Sequence, residues 1–227
     1  MAIEPPNQPD LAATLRGAPR APAGATVISF DTESFETACG LLMRRVLGNE
    51  RPDLIVGIPT GGRFVAEAMN HAASSAIPIC TLTCRRPSTR FKYAAGIVRS
   101  LLSRLPRAIL DRLRLIEHRL LTRTSPRRAP ASRQFDQREL ATFDEWIARA
   151  GETPSVLVVD DAVDSGVTLF EVLKIVRQHA PTARVRSAVV TVTSDAPLVY
   201  PDFALYYGQL CRFPWSVDAA KKRPYSS

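Results

Sequence analysis

Three carboxylates, Asp160, Asp161 and Asp164, follow directly on the apolar run Ser155-Val-Leu-Val-Val159, and Ser165, Gly166, Val167 and Thr168 come next. Neighbouring carboxylates suit a ligand with several hydroxyls, or a divalent cation carried with its waters. The residues after them read as a helix start, where N–H groups without intrahelical partners and the positive dipole end hold phosphate. The hydroxyls of Ser165 and Thr168 add donors. A second stretch, Gly57-Ile-Pro-Thr-Gly-Gly-Arg63, also ends an apolar run. There Gly61 and Gly62 let the backbone approach a ligand closely and turn N–H groups towards an anion. Together the two stretches fit a phosphate-bearing sugar held with a metal, its second phosphate group on the Gly-Gly loop. The chain contains neither the GxGxxG of a dinucleotide fold nor a GK[ST] phosphate loop.

Such residues need strand ends to hold them. Thr26 to Phe30, Asp53 to Ile58, Ile77 to Cys84, Val156 to Val159 and Val185 to Val192 read as strands. Glu33 to Leu47, Arg63 to Ser75, Asp136 to Ala150 and Val167 to His179 carry helical spacing, as does Tyr93 to Arg123 with a break at Pro106. The alternation predicts an α/β fold, a mostly parallel sheet flanked by helices. Ligands of such sheets bind at the carboxyl ends of the strands, which is where both stretches fall.

At 227 residues, with 45% hydrophobic and 23% charged residues, the chain suits a single folded domain. Residues 1–24 read as a disordered leader, and residues 25–227 as one domain with a helical insertion over about 85–150. Charge is uneven. From Arg85 to Arg138 fifteen Lys and Arg stand against three acids, a net +12; the total is +8, so the remainder carries −4. A basic stretch of this kind is a solvated helical face or a surface for a phosphate-rich or nucleic-acid partner. Few aromatics interleave with its arginines, so a stacking platform for single strands is not indicated. No apolar run is long enough to span a membrane. Four scattered cysteines without CxxC spacing predict reduced thiols in a cytoplasm.

SVLVVDDAVDSGVTL resembles the phosphoribosyl-pyrophosphate motif of the type I phosphoribosyltransferases, with Ser165 where that motif carries Thr. DLIVGIPTGGRFVAEA resembles the family's pyrophosphate loop and its helix. The resemblance implies the type I phosphoribosyltransferase fold with a small C-terminal hood. It implies transfer of 5-phosphoribosyl from phosphoribosyl pyrophosphate to a nitrogenous base, with Mg²⁺ as cofactor and pyrophosphate as leaving group. It assigns Asp160 and Asp161 to the ribose hydroxyls and the metal, and Asp164 to proton transfer at the base. Ser165, Gly166, Val167 and Thr168 go to the 5′-phosphate; Thr60, Gly61 and Gly62, through a strained or cis peptide, go to pyrophosphate, with Arg63 as electrostatic help. Leu210-Cys-Arg-Phe-Pro-Trp-Ser216 resembles the tail of the xanthine and hypoxanthine-guanine group, which points to a purine-like acceptor. That group places a Lys where this chain has Val192-Thr193-Ser194-Asp195, and an aromatic residue near Leu210; Tyr206, Tyr207 and Phe213 lie close by, while Phe213 and Trp215 serve equally as core. The enlarged arginine-rich stretch stands where the family has a closing loop.

Three functions follow. The first is the transferase, with a homo-oligomer left open. The second is a regulatory homologue that senses phosphoribosyl pyrophosphate or a nucleotide and binds nucleic acid or a partner protein. The third is a specialised transferase with an unusual acceptor that works beside a partner protein.

Overall fold

A computed structural model of the chain describes residues 27–85 and 134–216. The leader and the helices expected between Tyr93 and Arg123 lie outside the described residues. In order come β1 (Val27–Ser29), α1 (Thr32–Leu47), β2 (Leu54–Gly57), α2 (Gly61–His71), β3 (Ile79–Thr81) and β4 (Cys84–Arg85). Then follow β5 (Gln134–Phe135), α3 (Gln137–Arg149), β6 (Ser155–Val163), α4 (Val167–His179), β7 (Arg184–Val192), β8 (Phe203–Tyr207) and β9 (Leu210–Arg212).

Five strands form one parallel sheet in the order β3-β2-β6-β7-β8. Both of its faces are covered, which is why its central strands are apolar without alternation. Ile55, Leu157, Val159, Ala188 and Val190 face one way and pack on Phe35, Leu42 and Met43 of α1 and Val65 and Met69 of α2. Leu54, Val56, Val156, Val158 and Val189 face the other way and pack on Leu140 and Phe143 of α3 and Leu169, Val172 and Val176 of α4. The α/β class and the parallel sheet are as the sequence predicts.

Several boundaries differ. β6 runs four residues past Val159, because β7 continues the ladder opposite Asp160, Ala162 and Val163. Asp160 and Asp161 therefore lie within a strand and not after it. α2 begins at Gly61, two residues before the expected start, so the glycine pair forms its first turn. β3 is short; the chain leaves the sheet, and Cys84 and Arg85 pair antiparallel with Phe135 and Gln134. The two ends of the intervening basic stretch are thus side by side. Glu139 of α3 holds this neck, accepting from Thr81 Oγ1 at 3.1 Å, Thr83 N at 2.5 Å and Thr83 Oγ1 at 2.9 Å. With Leu140 and Phe143 buried, α3, at the far end of the basic stretch, is part of the domain's core.

The hood uses both ends of the described chain. β1 and β9 pair in parallel, Val27 opposite Leu210 and Ser29 opposite Arg212. Behind them Phe213 stacks on Trp215 with ring centroids 4.9 Å apart, and Phe35 meets Trp215 edge-on at 5.0 Å. Phe64 of α2 also reaches Trp215, at 4.9 Å. Truncation of the fully buried Phe35 should therefore open this aromatic cluster. Phe35→Ala is expected to lower the unfolding free energy by about 3–5 kcal/mol in urea titrations, whereas Leu41→Ala, on the exposed side of the same helix, is expected to change it by under about 1 kcal/mol.

Candidate functional site

The site is built where the loops after β2 and β6 meet. Ile58 N donates to Val159 O at 2.9 Å and Gly62 N to Ile58 O at 2.9 Å, so the first loop folds back over the neighbouring strand. The peptide between Pro59 and Thr60 is cis, as the resemblance implies. A Cβ at Gly61 would stand 2.0 Å from Asp161 Oδ2, and one at Gly62 would stand 2.3 Å from Val159 O. At Gly62 the obstacle is backbone, so only glycine permits the approach, which brings Gly62 against Asp160 and Gly61 against the Asp161 carboxylate.

The two carboxylates differ from surface acids. Asp160 is 9% exposed and accepts the Asp161 backbone N–H at 2.9 Å. Burial pushes its carboxyl well above the usual carboxylate range, and the Asp161 charge adds to the effect. Burial also raises Asp161. Among the described residues no Lys, Arg or His forms an ion pair with either group. Two such oxygens side by side fit a cation that keeps waters and substrate oxygens as its other ligands, the habit of Mg²⁺. Among the described residues no third acid or imidazole completes an all-protein metal cage.

The second loop follows β6. Asp164 and Ser165 are exposed, Gly166 is buried, and Val167 and Thr168 are half-buried. Gly166 takes φ 74°, a left-handed conformation that glycine adopts without cost. A Cβ there would lie 2.9 Å from Leu198 N. Leu198 N in turn donates to Ser165 O at 2.9 Å. Thr193 Oγ1 lies 3.3 Å from Asp164 Oδ1.

Helix starts divide into two kinds. α1 and α3 are capped by Asp31 and Asp136 and carry Glu33 and Glu139 in their first turns. α2 and α4 begin at Thr60 and Gly166 with no side-chain cap bond and no acid in the first turn. The two helices that open onto the site thus leave the N–H groups of their first turns without a capping side chain of their own, and these groups favour an anion. Both follow the carboxyl ends of parallel strands, where the fold also presents Asp160 and Asp161.

Other candidates fall elsewhere. Arg63 pairs along its own helix with Glu67 at 2.8 Å. Phe213 is 5% exposed, and Trp215 stacks on it, so both belong to the aromatic core. Tyr206 sits 6.1 Å from Phe30, and Leu210 pairs with Val27. Cys211 is beside Asp161 and Thr191; burial pushes its thiol up to about 11. All four cysteines are free thiols. The contacts of Leu198 and Val199 with Gly166 escaped the sequence reading, because they are made by backbone atoms. The positive φ needed by Gly166 was their only trace.

Neither the protein-family models nor the curated proteins give a match to this chain. Solved structures do. A purine phosphoribosyltransferase from Pyrococcus horikoshii superposes with TM-score 0.52 at 14% identity, over 84% of this chain and 93% of that one. A xanthine-guanine-hypoxanthine phosphoribosyltransferase from Helicobacter pylori gives TM-score 0.51 at 16% identity, over 85% and 95%. A hypothetical protein from Neisseria gonorrhoeae with bound ppGpp gives TM-score 0.53 at 16% identity, over 87% and 92%. The chain has the type I phosphoribosyltransferase fold.

Two outcomes follow from the packing and charge of the site. Gly62→Ala is expected to cost about 1–3 kcal/mol of stability and to part the first loop from β6, read by denaturant titration and by nuclear magnetic resonance shifts at Asp160 and Asp161. For Asp160 the raised folded pKa means that the folded state binds more protons than the unfolded one. Stability is then lost as pH rises from the ordinary carboxylate range through the raised value. In chelator and at neutral pH, Asp160→Asn is expected to be more stable than the parent by at least about 1 kcal/mol, the difference closing below about pH 4.

Proposed function

We propose that the protein is a Mg²⁺-dependent phosphoribosyltransferase that moves the 5-phosphoribosyl group of phosphoribosyl pyrophosphate onto a nitrogen of a purine-like base. The observation that supports this reading most is the convergence of two helix starts that carry no acid in their own first turns with a strand bearing one buried and one half-buried carboxylate. Phosphates at both ends of a polyhydroxy sugar match that arrangement of charge.

In this reading the start of α4, with Ser165, Gly166, Val167 and Thr168, takes the 5′-phosphate. Thr60, Gly61 and Gly62 take the pyrophosphate, and Arg63, when turned from Glu67, adds positive charge. Asp160 and Asp161 accept from the ribose hydroxyls. Mg²⁺ held by these two carboxylates and substrate oxygens would supply positive charge to the leaving pyrophosphate. As the anomeric carbon–oxygen bond breaks, the base nitrogen bonds to that carbon and its proton passes to Asp164. Asp164 is exposed at the loop, where a base can approach it. The base would sit towards the hood of β1 and β9, near Tyr206 and Leu210.

A second reading rests on the Neisseria gonorrhoeae neighbour with bound ppGpp. The same two phosphate cradles would suit a guanosine nucleotide with phosphate groups at both ends of its ribose, and the protein would sense that nucleotide without turnover. The basic stretch would then serve a nucleic-acid or protein partner.

The test is pyrophosphate release from phosphoribosyl pyrophosphate and Mg²⁺ over a panel of purine and pyrimidine bases. Release with one base, reduced about 10²- to 10⁴-fold in Asp164→Asn, is the expected result. Tight ppGpp binding with no release on any base would favour the sensor.

A further inference from the structure

The loop from β7 to β8, residues 193–202, touches the second site loop at two places. Thr193 N donates to Val163 O at 2.8 Å, with its hydroxyl 3.3 Å from Asp164 Oδ1. Five residues on, Leu198 N donates to Ser165 O at 2.9 Å, and the Leu198 and Val199 backbone fills the space that a Cβ on Gly166 would need. The Leu198 side chain is 53% exposed, so apolar burial of that side chain does not seat the loop. Pro197 and Pro201 are buried and Val199 and Tyr200 pack on the core, and polar closures complete the loop's shape. The Tyr200 hydroxyl donates to Asp195 O at 2.6 Å, drawing residues 195–200 into a ring with Leu198 at its tip. Beyond it, Asp202 Oδ2 accepts from Ser187 N at 2.7 Å and Ser187 Oγ at 2.8 Å, which fixes the loop's far end to β7.

We propose that Tyr200 is a positioning residue for the phosphate cradle at the start of α4. Its hydroxyl holds the ring that presents the Leu198 N–H to Ser165 O, and this bond orients the peptides leading into Gly166, Val167 and Thr168. An anion bound there gains from N–H groups that are already aimed, since they need no reordering on binding. The Gly61-Gly62 cradle has no contact with this loop among those described above. The proposal rests on the reading of α4 as the 5′-phosphate site.

Tyr200→Phe removes the hydroxyl and keeps the ring. Ribose 5-phosphate and inorganic pyrophosphate, each titrated by calorimetry with Mg²⁺ into parent and variant, separate the two cradles. The expected result is ribose 5-phosphate binding weakened about 3- to 10-fold, pyrophosphate binding unchanged within about twofold, and a melting temperature that falls only slightly. Unchanged ribose 5-phosphate affinity would overturn the proposal. So would parallel weakening of both probes alongside a large loss of melting temperature, which is the mark of a general structural role. If the parent itself fails to bind ribose 5-phosphate, the 5′-phosphate reading falls and takes the proposal with it. If the parent binds and the variant binds equally, only the role of Tyr200 falls.

Discussion

The contact on which the rest depends is the backbone of Gly61 and Gly62 lying against Val159, Asp160 and Asp161. Any side chain at either glycine would meet Val159 O or the Asp161 carboxylate at far below van der Waals distance. This one approach sets the height of α2 over the sheet. α2 in turn carries Val65 and Met69 into the core beneath α1, and it brings Phe64 to Trp215 of the hood. The position of the first loop, the seating of one helical layer and the placement of the chain's last described residues are therefore a single packing problem. Interiors packed as closely as this pass a displacement on to their neighbours.

Charge is sorted as closely as volume. α2 and α4 carry no acid in their own first turns and no side-chain cap, so an anion can approach their N–H groups; Asp31 and Asp136 already cap α1 and α3. Beside the two open starts stand carboxylates whose ionised form is disfavoured by burial. Each half of this arrangement is uncomfortable without a ligand. A molecule that brings anions to the helix starts and hydroxyls or a cation to the carboxylates relieves both halves, and this complementarity is the physical basis of the functional reading.

The basic stretch enters the same end of the fold. Cys84 and Arg85 follow the carboxyl end of β3 and pair with Gln134 and Phe135, and Glu139 anchors Thr81 and Thr83 beneath them. The two described ends of the basic stretch thus stand side by side near the carboxyl end of β3.

By itself the sequence determined the α/β class and the sheet's apolar strands, and it singled out the two loops of the candidate site, because local signals carry them. Unbroken apolar runs mark strands buried on both faces, and acids, hydroxyls and glycines at short fixed spacing mark candidate ligand loops. It did not determine where strands stop. β6 continues through Asp160 and Asp161 because β7 offers partners across the ladder, a fact held in residues some thirty positions away. Nor could it assign Phe213 and Trp215, whose aromatic character fits a ligand platform and a core equally; the rings of Phe30, Phe35 and Phe64 that enclose them come from the other end of the chain. The bracing of Gly166 by Leu198 and Val199 was hidden for another reason. It is made by main-chain atoms, which every residue possesses, so no side-chain pattern records it. Long-range pairing and backbone contact are decided only when the chain is folded, because only then do distant segments share the same space.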